Sequence, residues 1–441
     1  MPKVKGFSKL SKEAKIDWVI NNYFDNPKEN LALLKGYWHG TSDIQKLHDE
    51  FIENTITNYY MPFGVAPNFL VNNKIYCLPM AIEESSVVAA MSKAALFWLD
   101  RGGFKSKIIS TLKTGHVHFT WEGQDAAILQ RFIEEIKPKM MSGTHAITRN
   151  MEARGGGIVK LELIDKTHLE PHYYQLKGTF ETCDSMGANF INSVLEELAK
   201  ILRKEAKKSE YLNPNAIDVI MCILSNYTPE CLVRCEVRCA IDDLPDDTGI
   251  SPLQFAQRFV KAVRIAEIEP YRAVTHNKGI MNGIDALIIA TGNDFRAIEA
   301  CAHAYAARNG TYQSLSHAEI VDNQLVFTLE IPLALGTVGG LTSLHPMVKF
   351  SHALLGSPGA NELMEIVAAA GLAQNFSAIR SLVTTGIQKG HMKMHLLNIL
   401  NQLGATEEEK TELIHYFTEQ VPGHRAVVDA FEELRKRLKD S

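Results

Sequence analysis

The sequence predicts a mixed α/β (α+β) protein with a large domain, a smaller domain inserted into it and a C-terminal helical segment. Its 441 residues exceed the usual size of one domain, and 46% of them are hydrophobic, so the chain can bury a sizeable core. Between about residues 113 and 224 the hydrophobic pattern switches between the periods of strands and helices in the order β-α-β-β-α-β, which is the ferredoxin-like arrangement. From about residue 386 the periodicity is helical.

The first region, up to about residue 112, is expected to be mainly helical. Ser85-Ser86 is suited to cap a helix whose apolar residues recur every three or four positions, and Gly102-Gly103 is suited to end it. Glu83-Glu84 then lies at the N-terminus of that helix. This end of a helix favours anionic groups, whether they belong to a side chain or to a ligand.

The inserted domain is predicted over residues 113–224. Its strands are expected at 116–121, 158–164, 174–180 and 216–224, and its helices at 125–140 and 187–207. A unit of this size can fold as an insertion. The large domain then comprises residues 1–112 and 225–385, and residues 386–441 form the C-terminal segment.

Residues 231–241 of the large domain alternate strictly, which predicts a half-buried strand. Cys231, Cys235 and Cys239 share one face of that strand. Zinc would need a fourth ligand and thiolates gathered around one point, so core packing is the favoured interpretation. A further apolar strand is predicted at 284–290.

Composition excludes several classes of protein. The net charge of −5 without basic blocks argues against nucleic-acid binding. No window of 18 residues is continuously apolar, and the N-terminus lacks the apolar stretch of a signal peptide, so we expect neither membrane insertion nor export. Seven cysteines form an odd count in a long chain, which fits reduced thiols in the cytoplasm.

We expect no metal site. His116 and His118 share a strand face, but nothing nearby completes a set of ligands. His391 and His395 have the spacing of a helical pair, yet the glutamate of an HExxH motif is absent.

Neither a Rossmann fingerprint nor a Walker motif is present, so a dinucleotide would have to bind elsewhere. Residues 183–189 lie where a strand ends and a long helix begins, and Gly187 would let the backbone approach a pyrophosphate there. An ordinary helix cap explains the same residues.

The densest polar cluster lies at residues 271–283 and is followed by Thr291-Gly292-Asn293-Asp294. Two interpretations remain open from the residues alone. Lys278 is either a solvated loop lysine or a cation that stabilises an oxyanion near a carboxylate, and Asp294 is either a helix cap or part of the same site.

These segments resemble the motifs of 3-hydroxy-3-methylglutaryl-coenzyme A (HMG-CoA) reductase. Residues 275–283 and 290–294 resemble its lysine and aspartate signatures, and residues 83–90 resemble its glutamate motif. Residues 184–189 are similar to its dinucleotide loop, and 390–392 to its histidine motif. The motifs occur in family order from residue 53 to about 395. Without a membrane domain, the chain resembles the class II form.

The resemblance implies a large HMG-CoA-binding domain, a small non-Rossmann domain for the nicotinamide cofactor, and a C-terminal flap over the site. It implies reduction of HMG-CoA to mevalonate and free coenzyme A with two NADPH, or alternatively NADH. It also implies a cytoplasmic homodimer with the active site at the subunit interface, possibly assembled further into a hexamer.

The resemblance also implies roles for individual residues. Those matching catalytic positions are Glu84, Lys278, Asp294 and His391. Those matching substrate-binding positions are Glu53, Ser86, Arg272, Asn282 and Gln374. Those matching cofactor-binding positions are Thr148, Arg149, Asp184, Met186, Gly187, Ala188, Asn189 and Asn226. Thr148, together with the charge of Arg149, is expected to favour NADPH because no carboxylate there repels its 2′-phosphate.

Two positions depart from the family pattern. Thr57 replaces the glycine that ends the motif beginning at Glu53, so a turn with positive φ there is in doubt. Lys9 stands where a relative has an arginine for the coenzyme A phosphates, and it lacks the bidentate fork of arginine.

Three other functions were weighed against reduction of HMG-CoA. The same enzyme could run in the oxidative direction and degrade mevalonate. Cys183 beside Asp184 could be the nucleophile of an acyl-transfer enzyme acting on a coenzyme A thioester, although no histidine partner is evident. A catalytically silent coenzyme A-binding protein is disfavoured because Glu84, Lys278, Asp294 and His391 are all present.

Overall fold

Two units of the chain are distinguished by their internal contacts, Met1–Pro62 and Phe63–Ser441. They are seen in a computed structural model, which describes residues 3–123, 125–213, 216–244, 249–384, 396–417 and 423–440. The second unit contains all the strands of the described residues. The predicted α+β class with a ferredoxin-like insertion is confirmed.

The first unit is helical, as predicted. Its helices are α1 (Lys12–Tyr23), α2 (Pro27–Gly36) and α3 (Ser42–Asp49). The Lys12 ammonium pairs with the Asp49 carboxylate at 2.7 Å and ties α1 to α3. Thr57 does not adopt a positive φ, and its hydroxyl donates to the Leu34 carbonyl at 2.7 Å; the left-handed residue of this segment is Asn54, at φ 59°.

A β-hairpin opens the second unit, and the prediction of a mainly helical first region was wrong here. Strands β1 (Phe63–Val71) and β2 (Lys74–Ala81) pair antiparallel. Asn72 and Asn73 join them at φ 48° and 70°, the left-handed conformations that a tight hairpin turn requires and that asparagine tolerates. Helix α4 (Val87–Leu99) and strand β3 (Lys105–Ile108) follow.

The inserted domain has the predicted order and its own hydrophobic core. Its elements are β4 (Lys113–Trp121), α5 (Ala126–Glu152), β5 (Gly157–Asp165), β6 (Tyr173–Glu181), α6 (Ala188–Ala206) and β7 (Ile217–Leu224). The sheet order is β5-β6-β4-β7 and all neighbours are antiparallel. Both helices pack on one face of the sheet.

Helix α5 continues twelve residues beyond its predicted end at Met140. The extension packs against α6, where a Cβ on Gly143 would lie 2.6 Å from the Cδ1 atom of Ile201. Thr144 and Thr148 are buried in the same stretch. A tertiary contact therefore keeps the helix intact past a glycine that would otherwise weaken it.

The large domain surrounds a second sheet of order β3-β8-β10-β9. Its remaining strands are β8 (Leu232–Ala240), β9 (Ser316–Val321) and β10 (Gln324–Pro332). Its helices are α7 (Pro252–Ile268), α8 (Pro270–Ala290), α9 (Phe295–Ala306), α10 (Pro346–Leu354) and α11 (Ala360–Val383). Cys231, Cys235 and Cys239 are buried in the core, which confirms the packing interpretation.

The predicted strand at 284–290 is wrong, because these residues form the last two turns of α8. The Glu269 carboxylate accepts hydrogen bonds from the first backbone amides of α8, and Pro270 occupies its first turn. A short apolar run does not distinguish a strand from a buried helix, and the helix begins fourteen residues before residue 284. The polar cluster at 271–283 therefore lies on a helix.

Helix α11 is the one described helix long and apolar enough to cross a membrane. About two thirds of its apolar window is buried inside the protein. It packs against α4, α7 and α8 and against the sheet that contains β8. Its apolar character is thus explained by its central position in the core.

Glycines allow α8 and α11 to approach closely. A Cβ on Gly283 would lie 2.8 Å from the Cβ of Gln374 and 2.9 Å from the Ala370 carbonyl oxygen. A Cβ on Gly371 would lie 2.8 Å from Ile284. Gly283 therefore packs directly on the backbone of α11, and Gly371 leaves room for the Ile284 side chain of α8.

The C-terminal residues form a helical cluster with a separate small core. Residues 396–402 lie in helix α12, and α13 (Glu407–Tyr416) and α14 (His424–Asp440) follow. This agrees with the helical periodicity of the sequence. The predicted limits of a flap domain at 386–441 remain a prediction.

Two alanine substitutions in α8 test the close contact with α11. We expect Gly283→Ala to destabilise the protein by about 1 to 3 kcal/mol, because the added methyl group meets backbone and an immobile side chain. Gly279→Ala is the matched control: its nearest neighbour is the Ala378 Cβ at 3.9 Å, so it should stabilise by about 0.5 to 1 kcal/mol. Urea-unfolding midpoints measure both, and equal effects of the two changes would contradict the packing.

Candidate active site

An ion pair joins the two most specific sequence motifs. The Lys278 ammonium, in the middle of α8, lies 2.6 Å from the Glu84 carboxylate, which belongs to the loop between β2 and α4. The two side chains are 58% and 39% exposed. The structure therefore brings these residues together, but on a surface open to solvent.

Ser86 holds the loop beside Glu84 in an unusual conformation. It is the N-cap residue of α4, as predicted, but its φ is 73° and its side chain makes no capping hydrogen bond to the helix. A left-handed serine is costly unless its surroundings fix it, and such residues concentrate at functional sites. Gly102 and Gly103 end α4, as expected from the sequence.

Arg272 and Asn282 add polar groups along α8. Asn282 lies one turn after Lys278 on the same face of the helix. The Arg272 side chain is half-buried, and burial lowers the pKa of its guanidinium. No carboxylate of the described residues pairs with it. A half-buried cation without an anionic partner is suited to bind an anionic ligand.

Gln374 faces α8 from α11. Its side chain is 6% exposed, and its Oε1 oxygen has no hydrogen-bond partner among the described residues. It lies directly against Gly283, one residue after Asn282. A buried acceptor left without a donor has a cost in stability that a ligand hydrogen bond would remove.

Asp294 is the N-cap of α9 and forms no hydrogen bond or ion pair with Lys278 or Glu84 among the described residues. Its carboxylate accepts hydrogen bonds from the amides of Arg296 and Ala297 and pairs with the Arg296 guanidinium at 3.2 Å. Neither Lys278 nor Glu84 is among its partners in the described chain. The helix-cap interpretation is thus observed, and a catalytic role for Asp294 remains a prediction.

For two predicted residues, Glu53 and His391, the structure does not test a place at this site. Glu53 belongs to the Met1–Pro62 unit and is exposed. His391 lies outside the described residues, so its predicted role is untested.

The turn at residues 182–187, which overlaps the dinucleotide loop predicted at 184–189, contains two left-handed residues. These are Cys183, at φ 50°, and Gly187, at φ 87°. Gly187 is the N-cap of α6 and provides no side-chain cap, so the amides of Ala188 and Asn189 begin an uncapped helix. Such a terminus is suited to bind a phosphate. Met186 and Asn226 line one small cavity beside it.

Asp184 ties this turn to the large domain. Its Oδ1 oxygen accepts a hydrogen bond of 2.8 Å from the Ala360 amide, and its carbonyl accepts one of 2.8 Å from the Thr337 amide. Its carboxylate therefore caps the N-terminus of α11, a long-range contact that the sequence did not reveal. The prediction that Asp184 contacts the cofactor remains untested.

The expected contact between Thr148 and the cofactor is not supported. Its side chain is 1% exposed, and its hydroxyl donates to the Thr144 carbonyl at 3.3 Å in the interior of α5. A carboxylate at this position would be buried in the domain core, not presented to a ribose. Arg149 is exposed on the next position of the helix and remains a predicted contact.

Cys183 has the wrong environment for a nucleophile. Burial raises the pKa of its thiol, and the Glu181 carboxylate raises it further. The thiol donates to the Arg154 carbonyl at 3.3 Å. A catalytic cysteine needs its thiolate stabilised, so these contacts weigh against the acyl-transfer interpretation.

The sequence pattern did not reveal that two carboxyl groups, on α8 and α9, interact. Burial, and next the Glu299 side chain of α9, raise the pKa of Asp285 in α8, so the protonated form of Asp285 is favoured. Asp285 lies seven residues after Lys278 on the same helical face, a spacing that the mistaken strand at 284–290 concealed.

The fold and the site together define a class of protein: an α+β protein with a ferredoxin-like insertion and a lysine–glutamate pair on helix α8 and the loop before α4. Comparisons with known proteins identify its family. The family model described as hydroxymethylglutaryl-coenzyme A reductase matches residues 17–396. The chain therefore belongs to the hydroxymethylglutaryl-coenzyme A reductase family.

Several relatives have this enzyme name. A 3-hydroxy-3-methylglutaryl-coenzyme A reductase of Archaeoglobus fulgidus is 35% identical over 99% of this chain and 95% of its own length. A probable reductase of Borreliella burgdorferi is 33% identical over 81% of this chain and 80% of its own. The class II enzyme of Streptococcus pneumoniae, solved bound to NADPH in open conformations, is 34% identical with a TM-score of 0.71. That match covers 87% of this chain and all of the other.

We expect the Asp285–Glu299 pair to make stability fall with rising pH. Because the pKa of Asp285 is raised in the folded state, its stabilising contribution is complete below about pH 4 and is lost as pH rises through the raised pKa. Asp285→Asn retains a donor for Glu299 but cannot lose a proton. The difference in free energy of unfolding between the variant and the parent protein, measured in urea, should therefore rise in favour of the variant between pH 5 and pH 9. We expect a rise of more than about 1.4 kcal/mol, which is the equivalent of one pKa unit.

The exposed Asp218 on β7 provides the control, since Asp218→Asn should not change this pH dependence. A parallel pH dependence in the parent protein and Asp285→Asn would contradict a shared proton between Asp285 and Glu299.

Proposed function

We propose that this protein reduces HMG-CoA to mevalonate and free coenzyme A with two equivalents of NADPH. The observation that carries the proposal is the 2.6 Å contact between Lys278 and Glu84, which joins the lysine and glutamate motifs of the family at one place. The same site would also catalyse the reverse oxidation of mevalonate. Biosynthesis of mevalonate, the precursor of isoprenoids, is the role we assign to it.

We assign the HMG portion of the substrate to the polar side chains of α8 and α11. The Arg272 guanidinium lacks an anionic partner among the described residues and is suited to the free carboxylate of the substrate. The unpartnered Oε1 oxygen of Gln374 would accept the substrate hydroxyl. Ser86, Asn282 and Glu53 are the further substrate residues that the family motifs imply.

The first reduction converts the thioester carbonyl to a hemithioacetal. A hydride added to the carbonyl carbon leaves a negative charge on its oxygen. The Lys278 ammonium would stabilise this oxyanion, and the Glu84 carboxyl would transfer the proton that neutralises it.

Release of coenzyme A and the second reduction complete the reaction. Collapse of the hemithioacetal expels the coenzyme A thiolate, to which His391 would donate a proton. The aldehyde that remains is reduced at the same carbon, so Lys278 stabilises a second oxyanion. We assign Asp294 to hydrogen bonds that hold the protonation states of Lys278 and Glu84.

A homodimer would complete the site, and a hexamer would be a further assembly of dimers. Asp294 does not reach Lys278 within the described chain, and the Lys278–Glu84 pair is open to solvent. A second copy over this surface would exclude water, which strengthens the interaction of the lysine with an oxyanion.

The cofactor is assigned to the small domain, residues 113–224. NADPH supplies the hydride when it is bound. The uncapped N-terminus of α6 fits a diphosphate, and Met186 and Asn226 line a cavity beside it. Asp184, Gly187, Ala188, Asn189 and Arg149 are the further predicted contacts. Preference for NADPH over NADH is supported by the Streptococcus pneumoniae relative, which was solved with NADPH.

We assign residues 1–112 and 225–385 to the large substrate domain and residues 386–441 to a flap that closes over the site. The enzyme is placed in the cytoplasm, with HMG-CoA as its small-molecule partner and no role in binding nucleic acid or membrane. Coenzyme A enters as part of the substrate.

Absorbance of reduced cofactor tests the proposed function directly. With HMG-CoA present, we expect two NADPH oxidised per HMG-CoA consumed, and slower oxidation of NADH. Release of coenzyme A without cofactor oxidation, blocked by iodoacetamide, would instead favour acyl transfer by Cys183 and overturn the proposal.

We expect Lys278→Ala to lose reduction of both HMG-CoA and free mevaldehyde. Each hydride step forms an oxyanion, and removal of such a stabiliser costs about 3 to 4 kcal/mol, or roughly a hundred- to a thousandfold in kcat. Lys93→Ala, which removes an exposed lysine from α4, is the matched control. Near-normal turnover of mevaldehyde by Lys278→Ala would refute the role assigned to Lys278.

His391→Gln should affect the two substrates differently. Reduction of HMG-CoA should fall about a hundredfold, because the thiolate leaves without its proton donor. Reduction of free mevaldehyde, which expels no thiolate, should be retained within a few fold. Comparison of kcat on both substrates is the measurement, and equal losses would exclude a proton donor specific to coenzyme A release.

A further inference from the structure

The Lys113 ammonium is buried without a carboxylate partner. Lys113 is the first residue of β4, and its side chain is 3% exposed. Burial lowers the pKa of its ammonium. None of the ion pairs between described residues includes Lys113. A buried cation without a counter-ion is costly, so its presence requires an explanation.

The Lys113 ammonium holds the 182–187 turn from the side of the sheet. It donates to the Thr182 hydroxyl and, at 3.0 Å, to the Ser185 carbonyl. The Thr182 hydroxyl in turn donates to the same carbonyl at 2.6 Å. One lysine therefore binds the first residue of the turn and a carbonyl three residues later, and it fixes their separation.

The turn needs such ties because its conformation is strained. Cys183 is a non-glycine residue with φ 50°. A Cβ on Gly187 would lie 2.5 Å from the Cγ2 atom of Thr182, so this end of the turn also packs without free space. Asp184 is tied from the opposite side by the Ala360 amide. Left-handed residues persist only where several contacts over-determine them.

The position of the Lys113 ammonium favours the binding of an anion at the N-terminus of α6. An ammonium group has three donors, and two of them have acceptors in the turn. Lys113 also lines the small cavity that contains Met186 and Asn226. Its charge thus adds to the positive end of α6, the uncapped 19-residue helix that begins at Ala188.

Packing alone does not explain a lysine here. A methionine of similar length would fill the same space without the cost of removing a charge from water. Thr182 and Ser185 would retain their mutual hydrogen bond in its absence. The charge itself is therefore the feature that a purely structural role leaves unexplained.

We propose that Lys113 is a positioning residue for the dinucleotide. It holds the 182–187 turn in the shape that presents the α6 N-terminus to the diphosphate of NADPH, and it places a fixed positive charge behind that turn. The proposal deepens the proposed function and rests on it, because the turn is assigned to the cofactor by family resemblance.

The test compares NADPH binding with substrate binding in Lys113→Met and in Lys113→Gln, which keeps a donor but loses the charge. Titration of NADPH fluorescence should give a dissociation constant at least tenfold higher in both variants, with a parallel rise in the KM for NADPH. The KM for HMG-CoA should change less than twofold, and the melting temperature should not fall. Lys113→Arg, which keeps the charge, should remain within about threefold of the parent protein.

Lys200→Met is the matched control. Lys200 lies on α6, the helix whose N-terminus is assigned to the diphosphate, but its side chain is exposed and pairs with Glu197. It should leave all these values unchanged. An unchanged dissociation constant for NADPH in both neutral variants overturns the proposal. Losses of NADPH affinity, HMG-CoA affinity and melting temperature in parallel also overturn it, because they indicate a structural role only.

Failure of the proposed function gives a different result in the same experiment. If the parent protein neither binds nor oxidises NADPH, the assignment of the turn to the cofactor is wrong, and the role of Lys113 falls with it. If the parent protein binds NADPH and the neutral variants bind it equally well, only the role of Lys113 is wrong.

Discussion

The close contact between α8 and α11 determines the geometry of the candidate site. Gly283 packs directly on the backbone of α11, and Gly371 leaves room for the Ile284 side chain, so the two helices approach closely. This places Gln374 of α11 against the turn of α8 that carries Asn282. The Ser377 hydroxyl of α11 donates to the Ala90 carbonyl at 2.7 Å and so fixes the first turn of α4. The loop that carries Glu84 precedes that turn, which brings its carboxylate to Lys278.

The site retains polar groups that the fold leaves unsatisfied. Among the described residues, Arg272 has no anionic partner, and the Gln374 oxygen has no donor. Ser86 adds a different cost, because its backbone keeps a left-handed conformation that is unfavourable for a non-glycine residue. Each feature lowers stability in the isolated chain, and each is explained if a substrate with a carboxylate and a hydroxyl binds there.

Helix α11 also connects the two halves of the proposed reaction. Its N-terminus is capped by Asp184, which belongs to the turn assigned to the cofactor. Fourteen residues further along, Gln374 is one of the polar side chains assigned to the substrate. Displacement of the turn would therefore act on the same rigid helix that holds the substrate residue. Lys113 fixes the turn from the other side, so the separation between the two sites depends on few contacts.

Sequence by itself determined the elements whose pattern is local. The hydrophobic periods of the inserted domain predicted all four strands and helix α6 within a few residues, and they predicted the start of α5 but not its end. The alternation at 231–241 predicted a strand with its cysteines in the core. The motif residues Glu84 and Lys278 were also identifiable from the sequence alone, because family signatures are contiguous segments.

Only the tertiary structure decided features that depend on distant residues. Residues 284–290 are as apolar as a buried strand, and their helical state follows from a cap at Glu269 and from packing against α11. Burial of Thr148 follows from the packing of α5 on α6, which carries the helix past Gly143. Asp184 and the Ala360 amide that it caps are 176 residues apart in the sequence. Lys113 is 69 and 72 residues from its two hydrogen-bond partners in the turn. Contacts between residues so far apart leave no local pattern in the sequence. The reason is that helix or strand propensity and hydrophobic periodicity do not depend on which distant segment packs against a residue.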